Sequence, residues 1–127
     1  MADDARGHGT PEEPEAALLQ ARAMVLHDLA ARGANGADVV DLVEDVVTER
    51  RWWVRAWPEG TAYVAGQVAQ DVQDRLLETE GRWPTCDRHR EEPLQVAPPL
   101  GPAPWWVCER GCGPVAPVGA LRPTPGK

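Results

Sequence analysis

Proline sets the limits of what this chain can fold into. The 127 residues include 13 prolines, and only Pro11, Pro14 and Pro58 precede Gly81. A proline inside a helix removes a backbone hydrogen bond and clashes with the preceding turn, at a cost of about 3 kcal/mol. Long helices are therefore expected only in the first 81 residues. Beyond Gly81 proline and glycine are dense, no helical period survives, and turns with short strands are expected. The chain reads as a polar tail (1–14), a helical domain (15–81) and a C-terminal module (82–127) with a flexible end.

The tail, MADDARGHGTPEEP, is polar and aperiodic, so His8 reads as a disordered residue and Thr10–Pro11–Glu12–Glu13 as a helix start. A first helix is expected from about Glu15 to Arg32, stopped by Gly33, with Asn35–Gly36 as the turn. At 100° per residue its apolar face carries Leu18, Leu19, Val25, Leu26, Leu29 and Ala30. Arg22 sits within that face, its stem packed and its head free to reach water or a carboxylate. His27 and Asp28 lie off the stripe and read as solvated.

The second helix has the clearest pattern. In DVVDLVEDVVTERRWWVRAW, Val39, Val40, Leu42, Val43, Val46, Val47, Trp53, Val54 and Trp57 share one stripe. Strand-like alternation would mix these with Asp41, Glu44, Asp45, Thr48 and Arg55. Asp38 is the expected N-cap, and Pro58 ends the helix near Trp57. Trp52 points to the polar side, either as an anchor for a partner or as cover for a neighbouring element. A third helix, capped by Thr61, should run from about Ala62 to Glu80. Its buried face is Ala65, Val68, Ala69, Val72 and Leu76, and Gly81 closes it. Such small residues admit a close neighbour, and a homodimer through this face is one possibility. Leu94–Ala97, Trp105–Cys108 and Val115–Val118 are the expected strands.

Isoleucine and phenylalanine are absent and lysine occurs only as Lys127, a mark of GC-rich codons rather than of a function. Valine, leucine and six tryptophans must then build the core. The net charge of −7 disfavours non-specific binding to nucleic acid. It is unevenly spread, with 16 acidic and 7 basic side chains in residues 1–81 and 4 and 6 in residues 82–127. The first 20 residues lack a basic start followed by an apolar run, and no stretch has the length of a membrane span. A cytoplasmic protein is the expectation. Three cysteines in a reducing compartment then suit metal ligation or free thiols better than disulfides.

One constellation carries chemistry: Cys86-x2-His89 and Cys108-x3-Cys112, with 18 residues between the pairs. A short gap lets two ligands fold around one ion, and a second pair delivered by a hairpin completes the tetrahedron that zinc prefers. Thiolate and imidazole are ligands that a borderline-soft ion selects. Gly111 and Gly113 give the second pair the turn freedom it needs. Cys86, His89, Cys108 and Cys112 are thus the expected ligands of one structural Zn2+, and the module a short-stranded zinc ribbon. The alternative makes Cys108 and Cys112 incidental thiols and His89 a surface residue. The fold class expected is mainly α with a small β appendage, a three-helix unit followed by a zinc-ribbon-like module.

The runs RWPTCDRH, PLQVAP and WWVCERGCGPVAPVGAL resemble the C-terminal module of small uncharacterised actinobacterial proteins. The resemblance covers roughly residues 50–121. It implies a helical N-terminal part, a Trp-Pro-x-Cys start, a Trp-Val-Cys segment and a Val-Ala-Pro-Val-Gly ending. It implies no activity.

Enzyme readings fare poorly. His89-Arg90-Glu91 superficially resembles the His-x-Glu of zinc deaminases, but Val107 stands where their proline precedes the cysteine pair, and the gap within the pair is three. No phosphate loop, GxSxG elbow or HExxH is present. A redox role for Cys108 and Cys112 would need a cationic neighbour, for which only Arg110 offers. The leading expectation is a non-catalytic, zinc-binding interaction or regulatory protein with a protein partner. The alternative is a nucleic-acid-binding ribbon, with Arg82, Arg88, Arg90 and Arg110 on phosphates and Trp105 or Trp106 stacked on bases. A small metal- or thiol-dependent enzyme comes third.

Overall fold

The computed structural model describes residues 12–34 and 36–123, so His8, Asn35 and the C-terminal residues 124–127 lie outside the described residues. Helix α1 spans Glu12–Ala31, α2 Ala37–Ala56 and α3 Val64–Thr79, with a 3-10 helix, Pro58–Tyr63, between the last two. Strands β1 (Gln95–Ala97), β2 (Trp105–Cys108) and β3 (Gly113–Pro117) form one antiparallel sheet in the order β1-β2-β3. The architecture is mainly α with a small β part. Among the described residues, no helix is long and apolar enough to cross a membrane.

The stripes pack as the periodicity requires, with some exceptions. From α1, Leu18, Ala21, Val25 and Leu29 are buried, while Leu19 and Ala30 are exposed. The apolar sector is thus narrower than expected and centred on Ala21 and Val25. From α2, Val39, Val43, Val46, Val47 and Val54 are buried. Trp57 is 41% exposed and leaves the stripe, because it is the C-cap, where the backbone departs from helical geometry. From α3, Val64, Val68, Ala69, Val72 and Leu76 are buried together with Gly66. That small-residue face is covered by the chain itself. A side chain at Gly66 would lie 3.0 Å from the Pro99 carbonyl oxygen and 3.5 Å from Pro104. The sheet and its proline loop therefore make the close approach that the small residues allow.

Three boundaries differ from expectation. α1 begins at Glu12, within the expected Thr10–Glu13 helix start, of which Thr10 and Pro11 lie outside the described residues. It thus takes in Glu12–Pro14 of the expected tail, ahead of Glu15, since a proline is tolerated in a first turn. Asp38 lies in the first turn of α2, and Gly36 is its N-cap without a side-chain hydrogen bond. Thr61 falls inside the 3-10 helix, so Tyr63 rather than Thr61 precedes α3. Gly81 does end α3. At φ +107° it donates its amide to the Leu76 carbonyl at 2.8 Å. That backbone conformation disfavours residues with a Cβ.

Ion pairs link the helices: Arg51 to Glu15 (2.8 Å), Arg22 to Glu44 (2.5 Å), Arg50 to Asp71 (2.7 Å) and Arg75 to Glu49. The first, second and fourth have a carboxylate that is 44–61% exposed, where a pair is worth about 0–1 kcal/mol. Arg50–Asp71 is more covered, at 18% and 25%, and makes two hydrogen bonds. Packing dominates. The buried residues of the helices join Trp83, Leu94, Val96, Trp106, Val118 and Leu121 in one continuous core. Trp106 is fully buried and meets Trp83 edge-to-face, with ring centroids 5.5 Å apart.

The turn after α2 is tight enough to test. A Cβ at Gly60 would lie 2.7 Å from Trp57 and 2.8 Å from Trp53, both rigid indoles already in contact with each other. Gly60→Ala should therefore cost about 1–3 kcal/mol, as overpacking does. Urea denaturation would read it as a lowered midpoint at unchanged slope. A midpoint equal to that of the parent would show that the turn is not closely packed.

Candidate metal centre

The segment between Gly81 and β1 folds into a knuckle held by its own backbone. The Cys86 amide donates to the Glu92 carbonyl (3.0 Å), the Glu92 amide to His89 (2.7 Å), and the Leu94 amide to Pro84 (2.7 Å). Thr85 and Pro93 form an antiparallel bridge at its neck. Proline at 93 ends the loop and leads into β1. These bonds return Cys86 and His89 to one side of the loop. Cys108, the last residue of β2, is paired in register with Gly113, and Cys112 stands in the turn between β2 and β3. Gly111 (φ +122°) and Gly113 (φ +74°) make that turn possible.

Two stretches far apart in sequence thereby converge. Nδ1 of His89 lies 3.6 Å from Cys86 Sγ, 3.4 Å from Cys108 Sγ and 3.6 Å from Cys112 Sγ. The sulfurs of Cys86 and Cys112 are 3.7 Å apart. All four atoms lie within 4.8 Å of one another, close enough to hold one metal ion. Cys86 and Cys108 are buried, His89 is half-buried and Cys112 is exposed.

The electrostatics of the cluster are uneven. Burial pushes the Cys108 thiol up, but the amides of Cys112 and Arg110, with Cys86 and His89, outweigh it and lower its pKa to about 6. Amide donors stabilise the thiolate in that way. Cys112 is pushed up to about 11, first by its hydrogen bond with Cys86, then by desolvation and by the neighbouring thiols. Several thiolates this close repel one another, and a cation among them removes that repulsion.

The knuckle is tied to the helices by a residue that the sequence did not single out. Arg32, just past α1 and with its side chain only 8% exposed, donates to the Thr85 carbonyl (3.0 Å), the Asp87 carboxylate (3.1 Å) and the Arg122 carbonyl (3.0 Å). No motif could announce it, because all three partners are more than 50 residues away. Asp28 corrects the reading more sharply. Expected to be solvated, it is fully buried. Its carboxyl accepts from Trp106 Nε1 (2.8 Å) and from the amides of Gly119 (2.7 Å) and Leu121 (3.0 Å). It lies off the stripe expected from Leu18, Leu19, Leu26 and Ala30, but on the buried sector that α1 turns to the rest of the chain, about 20° from Ala21 at 100° per residue. Its neighbour His27 is exposed as expected, with Nδ1 2.9 Å from Asp28 Oδ1.

Of the side chains weighed for nucleic acid, Arg82, Arg88, Arg90 and Arg110 are exposed and Trp105 is 40% exposed. Trp106 cannot stack on a base, since it is in the core. Trp52 is 68% exposed, with the Arg55 guanidinium 5.5 Å from its ring centre. Glu91, the general acid/base of the deaminase reading, is exposed.

A second concavity, a groove of about 810 Å³, runs between α2 and α3. Asp38, Asp41, Asp45, Asp74 and Glu78 are in its lining, and its two arginines, Arg50 and Arg75, are paired with Asp71 and Glu49.

A family model described as a domain of unknown function (DUF8819) matches residues 14–118. No curated protein and no solved structure matches the chain.

Proposed function

We propose that this chain, which belongs to the DUF8819 family, is a non-catalytic interaction or regulatory protein whose C-terminal module is held together by one structural zinc ion. The carrying observation is the shape of the Cys86–His89–Cys108–Cys112 cluster. Zn–S bonds of about 2.3 Å and a Zn–N bond of about 2.05 Å, at tetrahedral angles, require S···S edges of about 3.8 Å and S···N edges of about 3.6 Å. The cluster has one S···S edge of 3.7 Å and S···N edges of 3.4, 3.6 and 3.6 Å. Donor type, number and spacing all suit the ion.

Four protein ligands fill the tetrahedron and leave no position for water or substrate, which supports a structural rather than a catalytic ion. The two ligand pairs come from a knuckle and a hairpin turn around a three-stranded antiparallel sheet, the arrangement of a small zinc ribbon. The acidic groove between α2 and α3, with Trp52 exposed on α2, favours a protein partner that carries positive charge and disfavours a phosphate backbone.

Metal quantification tests the reading. Full-length protein purified without added metal should contain about one equivalent of zinc by mass spectrometry, and Cys86→Ser and Cys112→Ser should each reduce it well below that. Stoichiometric zinc that persists in both variants, or parent protein without metal, would rule out this ligand set.

A further inference from the structure

The ligand set is asymmetric in a way that a purely structural ion does not require. Cys86 and Cys108 are 4% and 2% exposed, whereas Cys112 is at the surface. Cys112 also lies between Gly111 and Gly113, and a Cβ built at either glycine would meet nothing within 4 Å. Cys112 is therefore the one cysteine of the three at the surface, on a turn with open space on both sides. Its neighbour Cys86 Sγ is 3.7 Å away. A disulfide needs about 2.0 Å, so a movement of roughly 1.7 Å would suffice.

We propose that the centre is a redox-releasable metal clip in which hydrogen peroxide links Cys112 to Cys86 and expels the ion. The inference rests on the zinc reading above. The Cys112 thiolate attacks the peroxide, whose O–O bond breaks, giving a sulfenic acid and one hydroxide. The Cys86 thiolate then attacks the Cys112 sulfur and displaces a second hydroxide, forming the S–S bond. Two thiolates lose two electrons in total, and the peroxide gains them. The ion is left with Cys108 and His89, two ligands of the original four, and dissociates. A thiol reductant reverses the link and restores the site. The buried pair explains the order of events: Cys112 reacts first because it alone is open to solvent, and Cys86 resolves it.

The full-length, zinc-loaded protein allows a direct test with hydrogen peroxide as the oxidant. Trypsin cuts after Arg88 and Arg110, so the three cysteines fall on separate peptides. Unreduced peptide mapping should show the Cys86 peptide joined to the Cys112 peptide. A chromogenic chelator should record one zinc released for every two thiols lost, and dithiothreitol should restore metal binding. A link that includes Cys108, oxidation of Cys112 without a link, or zinc retained after thiol loss would each overturn the switch while leaving the metal centre intact. Protein that never takes up zinc would remove both.

Discussion

Asp28→Ala should be among the most destabilising single substitutions in this chain, at about 4 kcal/mol. Asp28 is fully buried on α1, and its two oxygens accept hydrogen bonds from the indole of Trp106 and from the amides of Gly119 and Leu121. Removing the carboxyl strands three donors, of which the Trp106 indole and the Leu121 amide are buried and the Gly119 amide is partly so. Each stranded donor costs about 1–3 kcal/mol, less whatever a trapped water recovers. For a chain of this length, a loss of about 4 kcal/mol lowers Tm by roughly 15 °C. Asp28→Asn keeps the shape and one acceptor oxygen but turns an NH2 towards at least one donor, so an intermediate loss is expected. Thermal denaturation of the three proteins checks the order. An alanine variant within about 5 °C of the parent would mean that Asp28 does not pin the sheet to α1.

Asp28 also shows where sequence reading ended. The helices were legible because their apolar spacing is a local property: Val43, Val46, Val47 and Val54 fall on one stripe whatever they pack against. The strands were legible from short apolar runs between turn residues, within one or two positions of β1, β2 and β3. The four ligand candidates could be named because their spacing within each pair is local, and the fold brings all four together. What could not be read is how the C-terminal module sits on the helices. That contact depends on Asp28 and Arg32, which are polar, fall outside the stripe that spacing predicts and meet partners 53 to 93 residues away. Trp106 was misplaced for the same reason. Two adjacent tryptophans on a strand face opposite sides, and spacing alone does not say which side the helices cover. Cap positions failed more narrowly. Asp38 and Thr61 have suitable side chains, but Gly36 and the 3-10 helix set the backbone entries instead.

Metal removal should have the other large effect, and it should be confined to one end of the molecule. An ion that binds only the folded state, present at a thousand times its dissociation constant, contributes about 4 kcal/mol. A chelator should therefore lower Tm by roughly 15 °C. The loss should fall on the knuckle and the β2–β3 turn, which carry the proposed ligands Cys86, His89, Cys108 and Cys112. Arg32, Asp28 and the core around Trp106 continue to hold the sheet against the helices. Hydrogen exchange should then quicken at the Cys86 and Glu92 amides while α2 and α3 stay protected, with far-UV dichroism nearly unchanged. Acid should act in the same direction, since every thiol ligand must be deprotonated to bind. Without the ion Cys112 is raised to about 11, so at pH 7 it gives up a proton on binding, and affinity falls at least tenfold per pH unit on acidification. Cys108 is lowered to about 6 and is largely ionised at pH 7. Below about pH 6 it too must lose a proton, which adds a further tenfold per unit. Competition with a chromogenic chelator between pH 5 and 8 would measure both slopes. An affinity that does not change across that range would show that the thiols are not the ligands.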